Sequence, residues 1–143
     1  MQIKKGVVGI VFDMKNDKFF FLILHRPMIW SGWEFPKGII NSGELPEEAL
    51  AREIQEETGL LKIKIIKKLD QKREFLHKGF HYVFEIFIVQ ASRDDVVDIS
   101  QEITEHDDYA WLEADEAIAK LYWPDERRNG EKALGEIRKS VQK

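Results

Sequence analysis

The sequence predicts an α+β fold built on a mixed sheet and held in one domain, and three observations carry that expectation. Strand-like runs outnumber helix-like ones and are interrupted by them irregularly. Residues 3–12 and 18–25, rich in Val, Ile, Phe and Leu, flank a turn signal at Asn16-Asp17 and read as a β-hairpin. No repeat, low-complexity tract or Gly/Ser linker divides the chain, so residues 1–143 are read as a single unit.

After the hairpin, residues 26–43 carry Pro27, Pro36, Ser31, Gly32, Gly38, Ser42 and Gly43, which predicts an irregular loop. Pro46 suits a first helical position, and good helix formers follow to Thr58. Leu45 is a poor N-cap for that helix, and Gly59 supplies its stop. Ile63 and Ile65 alternate with Lys62 and Lys64 as a strand, and residues 81–89 give the strongest strand signal in the chain. The polar, acidic residues 92–107 predict a loop. A short strand over 108–112 and a short helix over 114–122 follow. A terminal helix over 129–141 carries Ala133, Leu134, Ile137 and Val141 at helical spacing.

Composition narrows the function. The chain has no cysteine, which excludes a disulfide scaffold, a thiol nucleophile and a thiolate metal site. Its longest apolar runs, residues 6–12 and 19–24, fall far short of a membrane span. Lys4-Lys5 before the first run imitates a secretion signal, but Asp13 ends that run and no cleavage site follows, so a cytoplasmic protein is expected. A net charge of −4 argues against sequence-independent grip on a nucleic-acid backbone, so DNA is not an expected partner.

The chemistry concentrates in the predicted helix over 46–58. Glu53, Glu56 and Glu57 stand at i, i+3 and i+4, so three carboxylates converge on one face, beside an apolar stripe of Leu50 and Ile54. Like charges so close repel unless a cation compensates them; otherwise the helix is simply a solvated acidic one. Hard oxygen donors without histidine or thiol favour Mg²⁺, with Mn²⁺ as a substitute, and such ions share their coordination with substrate phosphates. Phosphate chemistry is the consequence.

Residues 38–60 resemble the Nudix box, Gly-x5-Glu-x7-Arg-Glu-U-x-Glu-Glu-x-Gly-U with U aliphatic, and every specified position is filled. The resemblance implies an α/β/α sandwich and metal-dependent hydrolysis of a nucleoside diphosphate linked to another moiety, by water attack on phosphorus. It implies Glu53, Glu56 and Glu57 as metal ligands, with Glu56 also a candidate base. Arg52 would orient a neighbouring carboxylate, and Glu44 would brace the loop or hold metal through water. Gly38 and Gly59 would permit backbone turns.

The flanks resemble dinucleoside polyphosphate hydrolases such as diadenosine tetraphosphate hydrolase. Trp33-Glu34-Phe35-Pro36-Lys37-Gly38 is similar to their Trp-x-Phe/Pro-Pro-Lys-Gly run, which implies that Lys37 contacts a bridging phosphate. Trp33 would stack on a base or plug the core. Lys72-Arg73-Glu74 and Tyr82 are similar to positions where a tyrosine stacks on adenine, and a packed aromatic is the alternative for Tyr82. Glu105, followed by His106, resembles a glutamate that completes the metal site or activates water, with Glu102 as its competitor. Two departures qualify this resemblance. Ile39-Ile40-Asn41 replaces the usual His-x-Glu. Residues 33–44 also resemble RNA 5′-end pyrophosphohydrolases through Ile40-Asn41-x-Gly43-Glu44, although those carry Gln in place of Lys37. The expected substrate is therefore a dinucleoside polyphosphate, with nucleoside triphosphates or RNA 5′ ends as the alternative. A nucleotide sensor without turnover is the alternative of another class. A monomer or a homodimer is expected.

Overall fold

A computed structural model describes residues 1–27, 31–100 and 105–141. Strands β1 (Gln2–Lys15) and β2 (Lys18–Arg26) form the expected hairpin, paired from Lys15↔Lys18 to Phe12↔Phe21. Asn16 and Asp17 carry φ values of 54° and 63°, the two positive values a type I′ turn requires. Past Phe12 and Phe21 the two strands part. β1 then runs parallel to β6 (Phe80–Gln90) on one edge and antiparallel to β4 (Lys37–Ile39) on the other. β2 takes β3 (Gly32–Glu34) and β7 (Asp108–Glu113) as its partners, and β5 (Lys64–His77) closes the far edge against β6. The result is one mixed sheet of seven strands.

Three helices cover the two faces. α1 (Pro46–Thr58) buries Ala49, Leu50 and Ile54 against Val7, Val11, Leu22, Phe87 and Val89. α2 (Ala114–Lys120) and α3 (Pro124–Val141) bury Ala117, Ile118, Ala133, Leu134 and Ile137 against Val8, Ile10, Phe21, Ile23 and Ile86. Each buried Leu, Ile, Val or Phe among them contributes roughly 1.5–3 kcal/mol, and each Ala less. The layers make the mixed α+β sheet that the residue pattern predicts and the α/β/α sandwich that the resemblance implies.

α1 has the bounds read from the sequence. Gly59 ends it in the left-handed conformation at φ 76°, its N–H bonded to the Gln55 carbonyl. Leu45 offers no side-chain cap, and the Glu48 carboxylate instead accepts the Leu45 N–H at 2.8 Å. The helix packs closely over β1 at Gly9, where an added Cβ would lie 3.1 Å from Ile54 and 3.2 Å from Leu50.

Four expectations need correction. The span 26–43 is not wholly irregular: β3 and β4 lie within it, each three residues long and too short to show a period. The strand expected around Ile63 and Ile65 begins at Lys64 and runs fourteen residues, to His77. Its register shifts between Ile65 and Lys67 and again between Lys68 and Lys72, which breaks the two-residue alternation a reader of sequence relies on. α2 stops at Lys120, because Leu121 bridges to Trp33 and the Tyr122 N–H bonds the Trp33 carbonyl at 2.9 Å. α3 starts at Pro124 instead of residue 129: its buried stripe begins with Glu126 and Gly130, neither of which reads as apolar, while Val141 is half exposed. Among the described residues no helix is long and apolar enough to cross a membrane.

Candidate active site

The parting of β1 and β2 and the entry of β4 open a cavity of about 960 Å³ at one end of the sheet. α1 presents Glu53, Glu56 and Glu57 to it, and the loop before β7 adds Glu105 and His106. β4 supplies Lys37 and Gly38, β3 supplies Glu34, and the end of β2 supplies Arg26. Aromatic rings also line the cavity, Phe75 of β5 and Tyr82 and Phe84 of β6. Phe75 and Tyr82 lie stacked at 5.0 Å and 13°.

Glycine at residue 38 leaves room for the Glu53 carboxylate against β4. An added Cβ at Gly38 would sit 1.9 Å from the Glu53 carboxyl carbon. Arg52 organises the carboxylates around it. Its Nε donates to Glu44 Oε2 at 2.8 Å and its Nη2 to Glu44 Oε1 at 3.0 Å and to the Ile39 carbonyl at 2.9 Å. Its Nη1 donates to Glu53 at 2.8 Å and reaches Glu56 at 3.3 Å. Glu44 also accepts the Asn41 N–H at 2.9 Å, so it ties the loop before α1 to the helix. Those hydrogen bonds, Arg52's foremost, hold Glu44 below the usual carboxylate range.

The buried side of the site is a chain of charges. Glu34 accepts from Arg26 Nη2 at 2.9 Å, meets His106 Nε2 at 2.8 Å and faces the Lys37 ammonium at 3.6 Å. Burial alone would raise its pKa, but His106, Lys37 and Arg26 outweigh burial and bring it to about 2. The other ring nitrogen of His106 lies 3.5 Å from Glu57, whose other oxygen accepts the Lys37 N–H at 2.8 Å. Burial, reinforced by the charge of Glu34, pushes Glu57 well above the ordinary range. Burial also raises Glu53, with Arg52 opposing it. Carboxylates held so against their charge are what a cation relieves.

The structure tests the donor set directly. Glu57, Glu105 and His106 each bring one ligand atom within 4.8 Å of the others. Two carboxylates and an imidazole fit a divalent cation, with Glu53 and Glu56 adjacent on the cavity wall. The expected set had no histidine; His106 changes it. Glu105 reaches the cavity and also accepts from Arg26 at 3.1 Å, whereas its competitor Glu102 lies outside the described residues.

The structure does not bring Trp33 to the cavity. It alternates with the inward-facing Glu34 along β3, packs against the core under α2 and α3, and lies 5.1 Å from the His25 ring. Tyr82 does line the cavity, while Gly59 and Glu44 act beside it on the ends of α1 and its preceding loop. Sequence reading missed Arg26, Glu34 and His106 as parts of this site. Glu34 stands at a variable position inside the run that points to Lys37, and His106 stands next to Glu105, so adjacency was the available signal.

A family model described as the NUDIX domain matches residues 3–132. The RNA pyrophosphohydrolase of a Sulfurovum species is 29% identical over 136 residues, covering 85% of this chain and 87% of that protein. The RNA pyrophosphohydrolase of a Nitratiruptor species is 32% identical over 101 residues, covering 64% of this chain and 65% of that protein. Among solved structures, a binary complex of C. elegans Ap4A hydrolase superposes with a TM-score of 0.80 over 94% of this chain and 98% of that one. At 22% identity that likeness is one of fold.

Proposed function

The chain belongs to the Nudix family of hydrolases, and from that premise we propose that it cuts a dinucleoside polyphosphate, diadenosine tetraphosphate to ATP and AMP, by water attack on phosphorus. One observation carries the reading. A single cavity is lined by the carboxylates of α1, by a lysine on β4 and by a stacked aromatic pair, which is the polarity of a nucleotide carrying a polyphosphate. Mg²⁺, or Mn²⁺ in its place, supplies a more acidic water and a clamp on phosphate oxygens when bound. Glu53, Glu56 and Glu57 would hold it, together with Glu105 and His106. Glu56 or Glu105 takes the proton of the attacking water. Arg52 keeps Glu53 and Glu56 on the cavity side of α1. Lys37, held by Glu34, meets a bridging phosphate and offsets the charge that develops on the leaving group. Tyr82 stacks on the base.

A second reading has its own support. The two RNA pyrophosphohydrolases are 29% and 32% identical to this chain, against 22% for the Ap4A hydrolase structure, and Ile40-Asn41-x-Gly43-Glu44 points the same way. Chromatography of products from diadenosine tetraphosphate, nucleoside triphosphates and triphosphorylated RNA separates the readings. ATP and AMP from the tetraphosphate, at the highest rate of the panel, is the expected result. Rates on it far below those on triphosphates or RNA ends would transfer the assignment to the second reading.

The packing of Gly38 gives a mutational test of the metal wall. Gly38→Ala must displace the Glu53 carboxylate, the mobile end of a side chain, so folding survives. The Mg²⁺ concentration for half-maximal activity rises by roughly tenfold or more, as for other losses of ligand support. An unchanged metal titration would remove Glu53 from the metal wall.

A further inference from the structure

Glu105 and His106 reach the cavity from the loop before β7, and that loop is gripped from both faces of β2. The strand alternates at its end: Arg26 lines the cavity, while the His25 ring lies 5.1 Å from that of Trp33, its cross-strand partner. On the cavity side Arg26 Nη2 donates to Glu105 at 3.1 Å, and His106 Nε2 meets Glu34 at 2.8 Å. Away from the cavity, His25 Nδ1 lies 2.7 Å from Asp107 Oδ1. Between the two, the Asp107 N–H donates to the His25 carbonyl at 3.0 Å. Neither His25 nor Asp107 lines the cavity, so the proposed chemistry leaves the pair unused.

We propose that His25 and Asp107 form a latch that positions Glu105 and His106 on the metal wall from outside the cavity. This rests on the metal-binding reading of that wall and adds two positioning residues to it. Stability is a poor reason for the pair: its side chains are 27% and 51% exposed, and ion pairs so exposed contribute little to folding. Geometry is a better one. Asp107 follows His106 directly and stands two residues from Glu105, so a shift of the main chain there moves both side chains. The ligand atoms of Glu57, Glu105 and His106 lie within 4.8 Å of one another, which leaves little slack. Arg26 and Glu34 grip the carboxylate and the imidazole that a cation would engage. His25 grips Asp107 and its N–H instead, and leaves the ligand groups free. Supporting contacts of this kind, when lost, weaken metal affinity by roughly 10- to 100-fold. The lower figure is expected here, because the latch acts through the main chain.

Two readouts on the whole chain test the latch. Mn²⁺ binding to metal-free protein is followed by the electron paramagnetic resonance signal of the free ion. Hydrogen exchange over residues 105–112 is followed by mass spectrometry without metal. His25→Phe keeps a ring against Trp33 and removes Nδ1, and Asp107→Ala removes the acceptor. Each should weaken Mn²⁺ binding by about tenfold and speed exchange over 105–112. The double variant should lose no more than either single one, because both break the same contact. Asp107→Asn keeps an acceptor and should stay within about twofold of wild type. The Lys18–Glu113 pair, 3.1 Å apart and also exposed, stands at the far end of the same β2–β7 ladder and is the internal control. Glu113→Ala should leave Mn²⁺ affinity unchanged. Mn²⁺ affinities of His25→Phe and Asp107→Ala within about twofold of wild type would overturn the latch. An equal loss in Glu113→Ala would overturn it too, by showing a general weakening of the ladder. Should His25→Phe fail to fold, Asp107→Ala against Asp107→Asn decides the matter. If wild type binds no Mn²⁺ while exchange is still faster in the variants, the metal reading of the wall fails and the latch on the loop stands.

Discussion

Glu56→Gln is expected to lower kcat by roughly 10² or more, the order of magnitude that general-base and electrostatic contributions supply. The structure makes this a clean experiment. The Glu56 side chain is 55% exposed and among the described residues its oxygens accept hydrogen bonds from Arg52 alone, at 3.3 Å, so its neutral isostere strands no buried partner there. Glu53→Gln and Glu57→Gln act differently, because both side chains are mostly buried. They should raise the Mg²⁺ concentration for half-maximal activity. Glu47→Gln and Glu48→Gln, in the first turn of the same helix, should be nearly silent. Gln at 48 keeps an acceptor for the Leu45 N–H. Steady-state kinetics with a metal titration on each variant checks the set. Glu56→Gln active within about threefold while Glu48→Gln loses activity would contradict the metal assignment of this helix face.

Glu126→Gln is expected to stabilise the protein, and to do so only at higher pH. Burial, partly offset by Arg73, raises the Glu126 carboxyl from 4.5 to about 7. Below pH 4.5 both folded and unfolded chains hold the proton, so the contribution of the neutral acid is fully present. As pH rises from 4.5 toward 7 the unfolded chain releases it first, and that contribution is lost. At about 1.4 kcal/mol per pKa unit, the loss by pH 8 is on the order of 3 kcal/mol. Gln cannot ionise and escapes it. Urea midpoints of wild type and variant should therefore nearly coincide at pH 4.5 and separate at pH 8, with the variant higher. Equal midpoints at both pH values would mean that Arg73 fully compensates an ionised Glu126.

How much of this was legible in the sequence follows from where the signals are local. α1 was legible to the residue, because Pro46, the Leu50/Ile54 stripe and Gly59 are all short-range marks. The hairpin turn was legible for the same reason: Asn16 and Asp17 tolerate positive φ. β5 was not, because its two register shifts erase the alternation and its exposed face is lysine-rich. The start of α3 was hidden because a glutamate and a glycine fill its first buried positions. In the site, the glutamates at i, i+3 and i+4 announced themselves. His106 and Glu34 did not, since their role rests on contacts across 72 residues of chain. Trp33 shows the converse: the motif left it between stacking on a base and plugging the core, and strand alternation, with Glu34 toward the cavity, packs it against the core.

The central claim is that water, activated at the glutamate wall, attacks phosphorus within the cavity. Hydrolysis of diadenosine tetraphosphate in heavy-oxygen water, with mass spectrometry of the products, tests it most directly. The account predicts Mg²⁺-dependent release of ATP and AMP, with one solvent oxygen on a phosphate of one product and none on the other. No cleavage of any nucleoside polyphosphate in excess Mg²⁺ or Mn²⁺, or products that carry no solvent oxygen on phosphorus, would contradict it.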